Sequence, residues 1–378
     1  MNICFVGCGY VADFYAATLA NHPSLRLIGV CDVDLDRALS LAQMCGVPGS
    51  SDIDAWIANP EVEMVVNLTP PEIHSSIIRK AISHGKACYS EKPFVTLFNE
   101  GSELVRLATD ACVPLAGAPC SMLGEAAQTT WRAIRSGLIG APRLVYANLD
   151  DGAIHKMAFD RWVSPRGIPW PSKNEFFHGC VMEHAAYHLS WLIMMFGPIF
   201  RGSTFGASIW PSKRNNEVNP APDLSVATLE HVSGVISRVT CGVAASRDRS
   251  FRVVGDDGEI RVADCWNFMS PVTVSLLRQP LRPGREGSSE YLCDPEEIES
   301  NLAPGFSHRC GDKNDMDYCR GVAEFAVAIQ KGRSSRVGAQ FLLHCLEVQC
   351  ELNTLGPRTF VTTTADNVPN SVPMPWAL

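Results

Sequence analysis

Two different rhythms of apolar and polar positions run along this chain. At the start, Ile3-Cys4-Phe5-Val6 is an unbroken apolar run that reads as a buried strand. It is followed by Gly7-Cys8-Gly9-Tyr10-Val11-Ala12 and a helix-like stretch over 13–20. The pattern then repeats. A strand over 25–31 ends in Asp32, and a helix over 36–45 is ended by Gly46. A strand over 62–68 is stopped by Thr69-Pro70-Pro71, and a helix over 72–84 is closed by Gly85. A strand over 86–90 runs into Glu91-Lys92-Pro93, followed by a helix over 98–110 and a strand over 113–118. This alternation predicts an α/β fold whose parallel sheet is covered by helices, with ligands at the carboxyl ends of the strands.

Beyond Pro119 the rhythm changes. The pattern predicts a helix over 121–136, a strand over 143–149, a loop rich in Trp, Pro and Gly over 161–173, and an apolar helix over 180–196. Four strand-like segments follow, 224–231, 234–243, 251–254 and 259–262. They lack intervening helices, so they predict an antiparallel sheet. Residues 280–315, rich in Pro, Gly, Arg and Asp, read as a long excursion, and helical patterns over 315–330 and 338–353 close the chain.

At 378 residues two domains are the default, and the apolar and charged fractions, 46% and 19%, are those of a soluble globular protein. A net charge of −8 offers no basic stripe to neutralise phosphates, which argues against a nucleic-acid or membrane-surface partner, and no apolar run approaches a membrane span. The 15 cysteines are odd in number and contain no C-x-x-C pair. Cys4, Cys31, Cys88, Cys241 and Cys345 sit inside apolar runs, where Cys acts as a small hydrophobe. A reducing cytoplasm fits this usage, and the apolar start, without a basic segment, reads as a first strand and not a signal peptide.

The turn after the first strand needs small residues. Gly7 permits a tight turn, Gly9 lets the main chain approach a pyrophosphate at the positive end of a helix, and Ala12 lets the helix pack close to the strand. Asp32, about 20 residues further on, ends the second strand where a ribose 2′-hydroxyl would donate. No Arg or Lys at 33 or 34 welcomes a 2′-phosphate, so NAD is favoured over NADP. Thr69, Pro70, Glu91 and Lys92 fall at the same strand ends. There the Lys92 ammonium can donate to a substrate oxygen during hydride transfer. On the apolar helix, His184 and His188 share one face at a spacing of four, with Glu183 and Tyr187 as a neighbouring pair; charged and imidazole groups on such a helix need partners or a site.

These residues resemble the Gfo/Idh/MocA oxidoreductases, the family of glucose-fructose oxidoreductase and inositol dehydrogenase. The resemblance covers nearly the whole chain. It rests on Gly7 to Ala12, on Asp32, on Asn67-Leu68-Thr69-Pro70-Pro71 with His74, on Glu91-Lys92-Pro93 and on the helix carrying His188. It implies a doubly wound Rossmann domain over 1–120, binding NAD(P), and an α/β domain over 121–378 whose open, mainly antiparallel sheet binds substrate and makes homo-oligomer contacts, as a dimer or tetramer. The dinucleotide would contact Gly7, Gly9, Tyr10, Val11, Ala12, Asp32, Thr69, Pro70, His74, Glu91 and Lys92. Lys92 matches the family's lysine and His188 its catalytic histidine. The usual D-x-G-x-H pattern is altered, however: His184 stands at the Asp position, Ala186 at the Gly position, and an acid appears one place early as Glu183. The implied activity is reversible oxidation of a secondary hydroxyl on a sugar, polyol or nucleotide sugar, with His188 as base, Lys92 orienting the oxygen and Glu183 or His184 fixing a neighbouring hydroxyl. Residues 119–125 would lie near nicotinamide and substrate, and Trp162 to Trp170 would wall the pocket. The alternatives are C=N or C=C reduction, glycoside hydrolysis through transient redox, and a non-catalytic NAD-binding protein. No metal is expected, although His184 and His188 with Glu183 or His178 have zinc-like spacing.

Overall fold

The computed structural model describes residues 1–210, 221–277, 294–299 and 316–378. Most of the predicted 280–315 excursion therefore lies outside the described residues. The first part runs β1 (Asn2–Val6), α1 (Ala12–Thr18), β2 (Arg26–Cys31), α2 (Leu35–Cys45), β3 (Gly49–Ser50), α3 (Ile53–Ala58), β4 (Met64–Asn67), α4 (Pro71–Ser83), β5 (Ala87–Ser90), α5 (Phe98–Asp110) and β6 (Leu115–Gly117). The six strands pair in parallel in the order β3-β2-β1-β4-β5-β6. Ile3 to Val6 are buried, as a strand covered on both faces requires. The chain leaves β1 on one side for β2 and returns on the other for β4. This reversal opens a crevice at the carboxyl ends of β1 and β4. Local chemistry sets the helix ends: Asp34 caps α2 by accepting from the amides of Asp36 and Arg37, and Gly46 ends it at φ 68°.

The second part runs α6 (Glu125–Arg135), β7 (Pro142–Asp150), α7 (Ser172–Phe196), β8 (Ile199–Ala207), β9 (Leu224–His231), β10 (Ile236–Gly242), β11 (Phe251–Gly255), β12 (Gly258–Val262), β13 (Val272–Leu276), β14 (Glu296–Glu297), α8 (Cys319–Gln330), α9 (Ala339–Leu352) and β15 (Gly356–Val361). Among the described residues its sheet has nine strands in the order β14-β13-β12-β11-β7-β10-β9-β8-β15. The sheet is mixed: β7 and β10 pair in parallel, with Ile236 opposite Leu144, while the other pairs are antiparallel.

α7 is longer than its apolar pattern predicts. It begins at Ser172 and is broken at Gly179, whose φ of 81° and ψ of 166° are not helical. Residues 178–196 are all buried, which is why this helix is apolar all round. Helices beyond residue 121 return to the first sheet. Leu342, Leu343 and Leu346 of α9 share a core with Leu104 and Val105 of α5, and the amide of Cys319 donates to Thr18 Oγ1 at 3.1 Å. Arg320 is clamped by both oxygens of the buried Glu125, at 2.8 and 3.1 Å. Among the described residues no helix is long and apolar enough to cross a membrane.

Candidate active site

The two glycines of the first turn do different work. Gly7 has φ +98°, and a Cβ there would stand 2.6 Å from the main chain of Leu68, because β4 runs alongside β1. A Cβ on Gly9 would meet nothing within 4 Å, and Gly9 borders a cleft of about 1180 Å³ between the two sheets. Tyr10 and Val11 border it as well, whereas Ala12 is buried where α1 packs on the sheet. Asp32 lines the cleft at the end of β2. Its Oδ2 accepts from the Cys8 amide at 2.7 Å and its Oδ1 from the Asp34 amide at 2.9 Å, so it also fastens the glycine turn.

Thr69, Pro70, Glu91 and Lys92 line the same cleft. Glu91 is a bracket, accepting from the Tyr15 hydroxyl at 2.6 Å and the Lys92 amide at 2.8 Å. His74, expected at the cofactor, does not border the cleft. It is fully buried, with Nδ1 2.7 Å from the Pro93 carbonyl and Nε2 2.8 Å from the Thr69 carbonyl, so it ties the β4 and β5 turns together from behind. Burial lowers its pKa.

At the cleft floor, Lys92 Nζ donates to Glu183 Oε2 at 2.9 Å, joining the two halves of the chain. A second carboxylate, Glu175, comes from the piece of α7 before Gly179 and lies 3.4 Å from His184 Nε2. Burial alone would pull the Lys92 ammonium down, but Glu183 and Glu175 hold it well above its ordinary value. Two carboxylates share this one ammonium. Burial disfavours both charged forms, yet Lys92 and His184 hold Glu175 below the usual range, while burial and the Glu175 charge push Glu183 up. Tyr187, one helical turn beyond Glu183, also lines the cleft. Burial raises its phenol pKa and the Lys92 charge partly offsets this. Its ring lies 4.4 Å from that of Trp266, which carries the Arg249 guanidinium 3.6 Å above its centroid; Arg249 in turn pairs with Asp151 at 2.5 Å. Trp162 and Trp170, in the predicted loop, form another wall.

The structure brings Lys92, Glu183 and His184 together but leaves His188 out. Residues 183, 184 and 187 border the cleft, whereas His188, one turn beyond His184 on the same face, lies past the cleft against the main chain at Arg249 and Ser250. His188 is fully buried, and burial drops its pKa to about 4. Residues 119–125 likewise do not border the cleft; Ser121 Oγ donates to the Tyr187 carbonyl at 3.4 Å from behind it. The histidines with zinc-like spacing are dispersed, His178 pairing with Glu72 at 2.8 Å and His184 with Glu175. Sequence reasoning did not find Glu175, Trp266, Arg249 or Asp151. For Tyr187 the signal was present, since its spacing of four from Glu183 places both on one face.

Two family models match the chain, that of the oxidoreductase family with an NAD-binding Rossmann fold over residues 1–116 and that of the GFO/IDH/MocA C-terminal domain over residues 127–261. The chain is 24% identical over 266 residues to a D-apiose dehydrogenase from Paraburkholderia graminis, covering 68% of this chain and 66% of that protein. The match to an oxidoreductase from Synechocystis covers 52% of each. The chain thus spans from about half to about two thirds of the length of these curated relatives. Its fold is that of an aldose-aldose oxidoreductase from Caulobacter crescentus, with a TM-score of 0.74, 18% identity and coverage of 96% and 99% of the two chains. An NAD binding oxidoreductase from Klebsiella pneumoniae gives a TM-score of 0.73, 18% identity and coverage of 92% and 94%. With one family model matching the first sheet and the other the start of the second part, the chain belongs to the Gfo/Idh/MocA oxidoreductase family.

Proposed function

We propose that this oxidoreductase interconverts a secondary hydroxyl and a ketone on a sugar, polyol or nucleotide-sugar-like substrate, with NAD(H) as its dinucleotide. One observation carries the proposal: the Lys92–Glu183 ion pair on the cleft floor, with Tyr187 beside it. The cleft residues fit a dinucleotide, because Gly9 leaves open main chain facing the cleft and Asp32 borders it. Gly7, Gly9, Tyr10, Val11, Asp32, Thr69 and Pro70 would hold the dinucleotide, which when bound supplies the hydride acceptor or donor. Asp32 supports NAD, and Arg37, which also borders the cleft, is paired with Asp34 at 3.3 Å.

In this mechanism the Lys92 ammonium donates to the reacting oxygen and disfavours its wandering. The hydroxyl proton passes to the Tyr187 oxygen during oxidation and returns from it during reduction. Burial keeps the Tyr187 phenol protonated and the Lys92 charge offsets this only in part, which favours the step in which Tyr187 gives its proton, the reduction of a ketone. Glu183 and Glu175 keep Lys92 charged and in place. Trp162 and Trp170 offer apolar faces to a sugar ring. In this mechanism Tyr187 takes the part that the family resemblance implies for His188. A homo-oligomer would use the outer face of the second sheet, where Phe205 and its cross-strand neighbour Val226 are exposed.

The test is a panel of sugars, inositols and nucleotide sugars with NAD and NADP, followed by the absorbance of the reduced nicotinamide, with Lys92→Met as control. One substrate class should reduce NAD in the native enzyme and fail in the variant. A blank panel despite tight NADH binding, or full activity of Lys92→Met, would refute the proposal. Substrate turnover without accumulation of NADH would instead favour transient redox.

A further inference from the structure

The loop between β7 and α7 crosses to the glycine turn and leaves Arg166 behind it. Arg166 Nε donates to Asp13 Oδ1 at 2.5 Å and its main-chain amide to Asp13 Oδ2 at 2.9 Å. Nη2 donates to the carbonyls of Cys8 at 2.8 Å and Gly9 at 3.5 Å, and Nη1 to that of Arg37 at 3.2 Å. Both side chains are buried, that of Asp13 completely. Arg166 does not border the cleft, whereas Gly9 and Tyr10 do.

Two physical consequences follow. Asp13 places a carboxylate in the first turn of α1, directly beyond the turn that receives the pyrophosphate on the reading above. A buried carboxylate there repels phosphate unless a cation cancels it. In a planar trans peptide, moreover, C=O and N–H point in opposite directions. Holding the Cys8 and Gly9 carbonyls from behind therefore turns the amides of Gly9 and Tyr10 the other way.

We propose that Arg166 is a positioning residue for the pyrophosphate of the dinucleotide: it neutralises Asp13 and aims the amides of the glycine turn from across the domain boundary. The proposal rests on the dinucleotide reading of the cleft. Calorimetric titration of the full chain with ADP and with adenosine, alongside melting curves, separates the two. Arg166→Met should weaken ADP about tenfold and leave adenosine unchanged, because adenosine lacks the pyrophosphate. Asp13→Asn, which leaves Arg166 as an uncancelled cation, should bind ADP more tightly than the native protein. Asp13→Asn/Arg166→Met should recover part of the ADP affinity lost in Arg166→Met. Native protein that binds neither ADP nor NADH sinks the dinucleotide reading and this proposal with it. Native protein that binds ADP, with Arg166→Met binding it equally well or losing ADP and adenosine in the same proportion, overturns the proposal alone. If Arg166→Met does not fold, Asp13→Asn decides: tighter ADP binding supports the proposal, and unchanged or weaker binding overturns it.

Discussion

Replacing Tyr187 by Phe and, separately, His188 by Ala tests which neighbour on α7 moves the proton. Tyr187→Phe removes one oxygen and keeps the ring, with its packing 4.4 Å from Trp266. Stability should change by about 1 kcal/mol or less, a shift of about 1 °C in Tm for a chain of 378 residues. Loss of a positioned acid–base group costs about 10²–10⁴ in rate, equivalent to about 3–5 kcal/mol of transition-state stabilisation. His188→Ala acts differently. It empties a fully buried imidazole site, so the cost falls on folding, about 2–4 kcal/mol. The assay is initial rate with the substrate found in the panel, normalised to NADH-binding sites, beside a melting curve. Tyr187→Phe should bind NADH, melt near the native protein and lose turnover. His188→Ala should melt earlier and keep its turnover per folded site. Native turnover in Tyr187→Phe, or collapsed turnover in a well-folded His188→Ala, would refute the assignment.

Gly7→Ala must place a methyl against the Leu68 main chain at φ +98° and should express as a destabilised protein, whereas Gly9→Val has room, should melt like the native chain, and should lose NADH affinity; equal melting of the two would contradict the turn geometry. Burial holds the pKa of His188, His231 and His344 near about 4, against an ordinary 6.5, so the unfolded chain takes up protons that the folded one refuses. Stability should therefore be full above pH 6.5 and fall as pH drops toward 4, by up to about 3 kcal/mol per group; urea midpoints across that window check this, and His231→Asn should flatten the slope. Arg320→Met leaves Glu125 buried without its clamp and should cost about 3–5 kcal/mol, read as a lower melting temperature.

Much of the first sheet was legible because each of its strands is a short apolar run ended by turn residues. Val62 to Leu68, stopped by Thr69-Pro70-Pro71, contains β4, and Phe98–Asp110 is α5 at the predicted bounds. The second sheet was harder to read. β8 carries two glycines and several exposed positions, and β15 begins Gly356-Pro357 at the sheet edge, so neither shows a clean alternation. The parallel pairing of β7 with β10 left no local trace, because strand direction is set by a long connection. At the site, Lys92 and Glu183 were readable from motif and spacing. The placement of His188 was not, because His184 on the same face borders the cleft and nothing in the uniformly apolar α7 marks that the cleft ends before the next turn. Glu175 escaped because Gly179 breaks the periodicity between it and the rest of the helix.

That break divides α7 into a leading piece, 172–178, and a long rod. A Cβ at 179 would stand 2.8 Å from the Ala221 side chain, so the joint is built into the packing on both sides. The rod is wedged in the core and fixes the bearing of Glu183 and Tyr187. The leading piece carries Glu175, and its Asn174 and His178 grip Glu72 of α4. On the proposed mechanism the joint lets the leading piece adjust against α4 while the aim of Glu183 and Tyr187 stays fixed, with Glu175 as the one charge that ties a movement of that piece to Lys92.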